Sequence, residues 1–385
     1  MYLDLNSYRL PSYSFFHLWT TINTELLEKI ITDMKHLEYM REFDHEQLVF
    51  CNEQSTGLKS LIAIHDTTLG PSCGGVRIWP YKSENDAAMD VLRLSRAMTY
   101  KSAVAGIPLG GGKAVIIADS HKDKNEALLR AFGKHVDTLG GRYITTEDVG
   151  MTPADLEFIA EETNHVVGLP QSSGGSGDTS EMTGLGVYLG MKAAAKSKWG
   201  NDNLDGKTIV FQGFGNVAYN TSLHLIKEQA RLIASDINPI AVEKAKSLGI
   251  KTIEPNDIFE TDMDIFSPCA LGGILNDETI PRLKCSIIAG GANNQLLEER
   301  HGYDIQKKGI IYAPDYIINA GGIINASCEV GIKYNAERSK AITEKIYYST
   351  LEVISISNKQ SIPTSVAADK LAEKRIHSVR SIKNL

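Results

Sequence analysis

Lys101 and Lys113 flank a run of small and apolar residues, Ser102 to Gly112, that closes on three consecutive glycines. Neither lysine belongs to a charge-rich helix face. An ammonium among apolar neighbours is costly, so its pKa should fall. A lysine with a depressed pKa works as an acid and base near neutral pH. Upstream, Gly74-Gly75-Val-Arg77 allows the close approach of a substrate carboxylate. Lys101 can pair with that carboxylate, and Lys113, beside a glycine turn, can act as the general acid/base. Glu147-Asp148 follows an expected strand, Tyr143-Ile-Thr-Thr, and Asp148 can move a second proton. The pattern points to chemistry on a small anionic substrate. Taken singly, each lysine could equally be a surface residue or a structural ion-pair partner, and Asp148 a helix N-cap or turn residue.

About 100 residues beyond the glycines, Gly213-Phe214-Gly215-Asn216-Val217-Ala218 follows the strand-like Thr-Ile-Val-Phe-Gln and opens a helical pattern. This is the G-x-G-x-x-A form of the dinucleotide fingerprint: one glycine for the turn, one to admit the pyrophosphate, a small residue for helix–sheet packing. Helix N-terminal amides then serve the phosphates. Asp236 lies 23 residues after Gly213, at the end of the next strand. A carboxylate there accepts from a ribose 2′-hydroxyl and repels a 2′-phosphate, so the expected cofactor is NAD rather than NADP. Asn293-Asn294 and Asn319-Ala-Gly321-Gly322 fall after further expected strands, where α/β sheets bind ligands; they could also be turn residues. The combined reading is an oxidoreductase.

These groups need a scaffold. Strands are expected at 47–51, 60–65, 115–118 and 143–146, with helices at 86–98 and 125–139. A Gly/Ser-rich stretch at 172–178 is a hinge candidate, and 183–198 reads as a crossing helix. From Lys207 strands and helices alternate (208–212, 216–229, 231–235, then strands at 264–266, 286–289 and 310–313), which implies a parallel sheet covered on both faces. Helical patterns at 336–354 and 365–379 end the chain, and another spans Thr24 to Met34. The expected fold class is α/β: an N-terminal α/β substrate domain and a Rossmann-type doubly wound dinucleotide-binding domain, separated by a cleft. The expected division is an extension at 1–33, a substrate-binding and catalytic domain at 34–180, an NAD-binding domain at 181–330, and C-terminal helices at 331–385 packing back near the cleft.

Composition narrows the class. Forty Lys and Arg against 47 Asp and Glu give a net charge of −7, which argues against a nucleic-acid binder. No apolar run approaches the roughly 18 residues of a membrane span. Five scattered cysteines form no CxxC pair, so reduced thiols in a cytoplasmic protein are expected. The N-terminus shows no signal-peptide pattern. No pair of histidines has metal-ligand spacing, and no metal is expected.

Several longer segments carry a resemblance. They are His65-Asp-Thr-Thr-Leu-Gly-Pro71, Met98-Thr-Tyr-Lys101, Gly110-Gly-Gly-Lys113 and Arg142-Tyr-Ile-Thr-Thr-Glu-Asp-Val-Gly150. Ser267-Pro-Cys-Ala-Leu-Gly272, Ala292-Asn-Asn-Gln-Leu296 and Ala313-Pro-Asp-Tyr-Ile-Ile-Asn-Ala-Gly-Gly322 follow in order. With these the chain resembles the glutamate/leucine/phenylalanine/valine dehydrogenase family, nearest its leucine dehydrogenase branch, from about Met34 to about Ile376. The resemblance implies that Lys101, with the backbone near Gly74 and Gly75, holds the substrate α-carboxylate. Lys113 would polarise the carbonyl and activate water, and Asp148 would exchange a proton with the amine. Thr183 and Asn294 would contact the nicotinamide end or substrate, with Asn293 and Asn319 beside them. The implied reaction is reversible oxidative deamination of an amino acid to a 2-oxo acid, ammonia and NADH, in a homo-oligomer with a closing cleft.

The resemblance places Cys73, Thr146, Ile323 and Ala326 around the substrate side chain. Glutamate-using relatives carry lysine where Cys73 stands, so glutamate is disfavoured. Leucine enzymes usually have leucine, alanine, valine and valine there; two positions have shrunk and two have grown, and leucine, valine and isoleucine stay unranked. Ile107-Pro-Leu-Gly, Glu162-Thr-Asn-His-Val-Val-Gly168 and Gly272-Gly-Ile-Leu-Asn276 resemble the tryptophan-using branch, which makes an aromatic amino acid the alternative substrate. A non-catalytic NAD-binding homologue is a further alternative, opposed by the presence of Lys101, Lys113 and Asp148. The chain departs from the family pattern at Thr179-Ser-Glu-Met182, where Pro-Ser-Pro is common, and at Ser327-Cys328-Glu329, where an acidic pair is common. Residues 1–33 have no counterpart, which implies an upstream start in the reading frame or a lineage-specific arm.

Overall fold

The computed structural model describes residues 36–383. The expected arm at 1–33 and the helix from Thr24 lie outside them.

After a short helix α1 (His36–Glu42) come β1 (Gln47–Glu53), β2 (Leu58–Asp66) and β3 (Ser72–Trp79). β2 is buried along almost its whole length, so it needs cover on both faces. Helix α2 (Glu84–Val104), capped by Ser83, covers one face with Ala87, Ala88, Val91 and Leu92. Beyond β4 (Gly110–Ile117), helix α3 (Glu126–Asp137), capped by Asn125, covers the other with Leu128, Leu129, Phe132 and Val136. β5 (Tyr143–Glu147) completes a mixed sheet of order β1-β2-β4-β3-β5, and α4 (Pro153–Ala160) follows with a Thr152–Asp155 capping box.

One expectation is corrected here: Gly110–Gly112 belongs to β4 and is no turn. Ser72–Trp79, which carries the glycine pair, is a strand that the sequence pattern did not announce. A Cβ on Gly111 would lie 2.2 Å from the Thr99 backbone nitrogen, and one on Gly74 would lie 1.8 Å from the Gly112 carbonyl oxygen. The glycines let α2 and β3 press onto β4.

Helix α5 (Ser180–Trp199) leads into the second domain. There β6 (Thr208–Gln212), α6 (Asn216–Lys227) and β7 (Arg231–Ser235) alternate as expected; α7 (Pro239–Ser247) and β8 (Lys251–Thr252), which were not expected, come next, then β9 (Ile265–Pro268), β10 (Ile287–Ile288), α8 (Arg300–Lys307) and β11 (Ile311–Tyr312). The sheet has order β11-β10-β9-β6-β7-β8, parallel throughout. The reversal between β9 and β7 on either side of β6 is the topological switch point at which such sheets bind ligands. Short helices α9 (Asp315–Ile318) and α10 (Gly321–Ser327) follow. A turn at 344–345 splits the expected helix at 336–354 into α11 (Ala336–Thr343) and α12 (Ile346–Gln360).

The last helix, α13 (Thr364–Lys383), packs on both α12 and α2. Arg375 donates to the carbonyls of Ser102, Ala103 and Ile107 at 2.7–3.0 Å, at the C-terminal end of α2. It adds a charged donor to the Ser102 and Ala103 carbonyls, which also accept from the Ile107 and Gly106 N–H groups, and its charge complements the helix dipole. The end of the chain therefore braces the turn that carries Lys101.

Candidate active site

A cavity of about 490 Å³ lies between the domains. From the first domain Gly75, Lys101, Lys113, Thr146 and Asp148 line it; from the second come Thr183, Val217, Asn293, Asn294, Asn319, Ile323 and Ala326. Most of the residues singled out in the sequence therefore meet in one place.

Lys101 stands in the last turn of α2. Its Nζ donates to Asn319 Oδ1 across the cleft at 2.7 Å. Burial pulls this ammonium down to about 8, with Asp315 opposing and Lys113 reinforcing the shift. Asn319 is fixed in turn, its Nδ2 donating to Gly291 O at 3.2 Å and Asn293 Oδ1 at 2.8 Å. Lys113 is 6% exposed and lies 3.1 Å from Asp148 Oδ2. Arg77 Nε donates to the same oxygen at 2.9 Å. Burial would push the Asp148 carboxyl up, but Lys113 and Arg77 outweigh it and hold the group below the usual carboxylate range. Neighbouring Glu147 is pushed upward by burial and by Asp178 and Asp148. The site thus offers an ammonium, Lys101, that pairs with no carboxylate among the described residues, a second, buried ammonium, and a carboxylate kept ionised beside it.

Two residues expected at the substrate are not on the cavity wall. Cys73 is fully buried, and its thiol is pushed up to about 12 by burial, with Glu329 adding and Lys113 opposing. It packs in the core shared with Val187 and Met191 of α5. Gly74 is pressed against β4, as described above. Thr146, Ile323 and Ala326 do face the cavity.

The glycine turn lies where the fingerprint requires. Gly213 has φ +87°, and a Cβ there would lie 2.7 Å from Ala270 Cβ. Gly215 is exposed, with nothing within 4 Å of a would-be Cβ, and no side chain caps the N-terminus of α6. Asn216 is also exposed at that terminus, whereas Ala218 is fully buried against the sheet. An open glycine before free helix amides fits a dinucleotide pyrophosphate. Phe214 points into the core, and its N–H donates to Asp236 Oδ2 at 2.7 Å. Asp236 Oδ1 accepts from the Asn238 N–H at 2.8 Å, so this carboxylate also braces the turn. Val217 joins the turn to the substrate cavity. Thr183 Oγ1 donates to Thr179 O at 2.9 Å on the cavity wall, and Asn294 holds a left-handed φ of +52°.

The family model described as "Glu/Leu/Phe/Val dehydrogenase, dimerisation domain" matches residues 45–165, and "Glutamate/Leucine/Phenylalanine/Valine dehydrogenase" matches 174–238 and 238–378. The chain belongs to this family. It is 53% identical to a leucine dehydrogenase of Geobacillus stearothermophilus over 91% of this chain and 96% of that one. It is 46% identical to a phenylalanine dehydrogenase of Bacillus thermotolerans over 93% of this chain and 94% of that one. The crystal structure of L-tryptophan dehydrogenase from Nostoc punctiforme matches with a TM-score of 0.79 and 48% identity, covering 89% of this chain and 99% of that one.

This member of the Glu/Leu/Phe/Val dehydrogenases also places at its site residues that sequence reasoning left unassigned. Asp315 and Tyr316 follow β11 and line the cavity with Asp369 of α13. Burial pushes the Asp315 carboxyl up, while Lys101 opposes. Tyr316 donates to Asp369 Oδ1 at 2.6 Å. A position just past a parallel strand was the available signal for Asp315 and Tyr316; Asp369, on a helix 54 residues later, had none. Glu329, at one of the family departures, accepts from the Gly168 and Ser176 amides at 2.8–3.1 Å and ties the end of α10 to the hinge stretch. Away from the cavity, Asp277, His301 and Asp304 cluster with metal-ligand types. His301 Nδ1 accepts from the Glu298 N–H at 3.0 Å, which leaves the ring proton on Nε2, 3.4 Å from Asp277 Oδ1. A protonated Nε2 has no lone pair to offer a metal, and it makes no hydrogen bond among the described residues. Among the described residues, no helix is long and apolar enough to cross a membrane.

Proposed function

We propose that this protein catalyses the NAD-dependent, reversible oxidative deamination of a branched-chain L-amino acid, leucine foremost with valine and isoleucine, to the 2-oxo acid, ammonia and NADH. The observation that carries the reading is the convergence of Lys101, Lys113 and Asp148 on one cavity that also receives Val217 from the glycine turn. The similarity to leucine dehydrogenases supports the substrate class.

Gly213, Gly215, Asn216 and Asp236 would hold NAD, with Thr183, Asn293, Asn294 and Asn319 toward its nicotinamide. NAD, when bound, supplies the acceptor for the hydride lost from the substrate Cα. Lys101 binds the α-carboxylate as an ammonium–carboxylate pair, and Asn319 orients it. Asp148, ionised, accepts the proton of the substrate amine. Lys113 stabilises negative charge on the oxygen that develops as water adds at Cα, and holds a proton for the departing nitrogen. Thr146, Ile323 and Ala326 present small or branched contacts to an apolar side chain. Closure of the two domains excludes water from the charged groups. The exposed Phe50 on edge strand β1, in the half matched by the dimerisation-domain model, supports a homo-oligomer. Five free cysteines, four of them buried, support a cytoplasmic location.

The test is NADH formation from a panel of L-amino acids with NAD and with NADP. Turnover of leucine, valine and isoleucine with NAD is expected. Activity confined to phenylalanine or tryptophan would move the substrate to the aromatic class, which the tryptophan dehydrogenase similarity makes the second reading. Lys113→Ala should abolish turnover while NADH binding persists; an unchanged rate would refute the role of Lys113.

A further inference from the structure

Asp148 is held by two cations, and both reach the same oxygen. Lys113 Nζ lies 3.1 Å from Oδ2, and Arg77 Nε donates to Oδ2 at 2.9 Å. Among the described residues no donor reaches Oδ1. Arg77 is itself anchored at its far end, where its NH1 group donates to Asp90 Oδ2 at 3.0 Å. Asp90 is fixed by the Tyr81 hydroxyl at 2.7 Å and by Arg93 at 2.9 Å. The guanidinium therefore forms a strut from α2 to the end of β5, rooted in β3 and lining the cavity beside the reacting groups.

A carboxylate with both cations on one oxygen cannot turn about its Cβ–Cγ bond without breaking two charge-assisted contacts. We propose that Arg77 is a positioning residue for the deamination proposed above: with Lys113 it occupies Oδ2 of Asp148 and so presents Oδ1 as the oxygen that exchanges the substrate proton. Lys113 alone would not impose this, because a flexible ammonium follows a turning carboxylate, whereas a guanidinium pinned by Asp90 does not. The groups that face Asp148 are Arg77 from β3, Lys113 from β4, Lys101 from α2, and Tyr143 and Glu147 from β5. Removing Arg77 takes away one of the two cations in direct contact with the carboxylate.

The experiment uses the full-length protein and its Arg77→Gln, Arg77→Lys and Asp90→Asn variants. It reads pH profiles of kcat and kcat/KM with the best amino acid, and NADH binding by fluorescence as a check on folding. Arg77→Gln should lose about ten- to a hundredfold in kcat, part of what a positioned acid–base group contributes, with KM for the amino acid changed less than about threefold. Its acid limb should move up by about one pH unit, the effect of losing a contacting cation. Arg77→Lys should bring that limb back toward wild type. Asp90→Asn, which loosens the strut without touching Asp148, should move it the same way by less. An Arg77→Gln enzyme with the wild-type limb and kcat overturns the proposal. If Arg77→Gln fails to bind NADH, Asp90→Asn decides, and an unmoved limb there overturns it. A wild type silent on every amino acid overturns the reaction and this role together; an active wild type with unmoved variants overturns this role alone.

Discussion

Gly75 sits on β3 directly across from β5, in register with Thr146. A methyl group there would stand 2.3 Å from the Glu147 carbonyl oxygen and 2.8 Å from Asp148 Cβ. Ordinary contact begins at 3.4 Å. The Glu147 backbone must therefore retreat by about 1 Å and carry the adjoining Asp148 with it, because hydrogen-bonded strand offers no flexible tip to swing aside. Asp148 then leaves Lys113 and Arg77, which hold it at 3.1 and 2.9 Å. Overpacking of this kind costs about 1–3 kcal/mol of stability. A displacement near 1 Å at a reacting group is worth about a hundredfold in rate, or about 2.7 kcal/mol of barrier. Gly75→Ala should thus lower kcat about a hundredfold while NADH binding is kept. Steady-state kinetics on leucine, NADH titration and urea unfolding check this. If the glycine served only to admit the substrate carboxylate, KM would rise and kcat would hold. A Gly75→Ala enzyme with wild-type kcat and stability would refute the packing argument.

Other outcomes follow from single contacts. Lys101 titrates near 8 because burial disfavours its charge. Its ammonium is present below that pH and lost above it, so the affinity for a non-reacting branched carboxylate should fall by up to about tenfold per unit above pH 8; inhibition constants that stay flat to pH 10 would count against Lys101 as the carboxylate site. Arg375→Ala leaves the Ser102, Ala103 and Ile107 carbonyls without their charged donor. Hydrogen bonds to charged groups contribute about 1.5–3 kcal/mol each and add incompletely, so urea unfolding should show a loss of about 2–4 kcal/mol. Gly215→Ala meets nothing in the protein at an ordinary φ of −74°. Its stability should stay within about 0.5 kcal/mol of wild type, while KM for NAD rises, since the methyl enters the space proposed for the pyrophosphate.

The parts of this molecule legible in its sequence are those whose cause is local. β6 and β7 are strands of five with three apolar residues at the centre, each followed by turn chemistry, and their observed bounds match the expected ones. The glycine fingerprint and Asp236 were legible because a tight turn, an open approach and a strand-end carboxylate each demand one residue type at one spacing. The glycines of β4 misled for the same reason. A glycine pair signals close approach but not what approaches, and here it is the neighbouring strand as well as any ligand. Cys73 was placed against the substrate by its position in a motif; it shares a face of β3 with Gly75 and Arg77, which line the cavity, but it lies fully buried in the core shared with α5. What sets the chemistry is longer in range. Lys101 and Asn319 are 218 residues apart and bond across the cleft. Arg77 finds Asp148 71 residues away, and Arg375 reaches back 273 residues to brace the helix beneath Lys101. No local pattern encodes such pairs, because each member is an ordinary surface residue until the sheet order and the returning C-terminal helix bring it to its partner. The types of the reacting groups are thus written locally. Their orientation and charge state are properties of the whole fold, and substitutions at Arg77, Asp90 and Arg375 should separate the two.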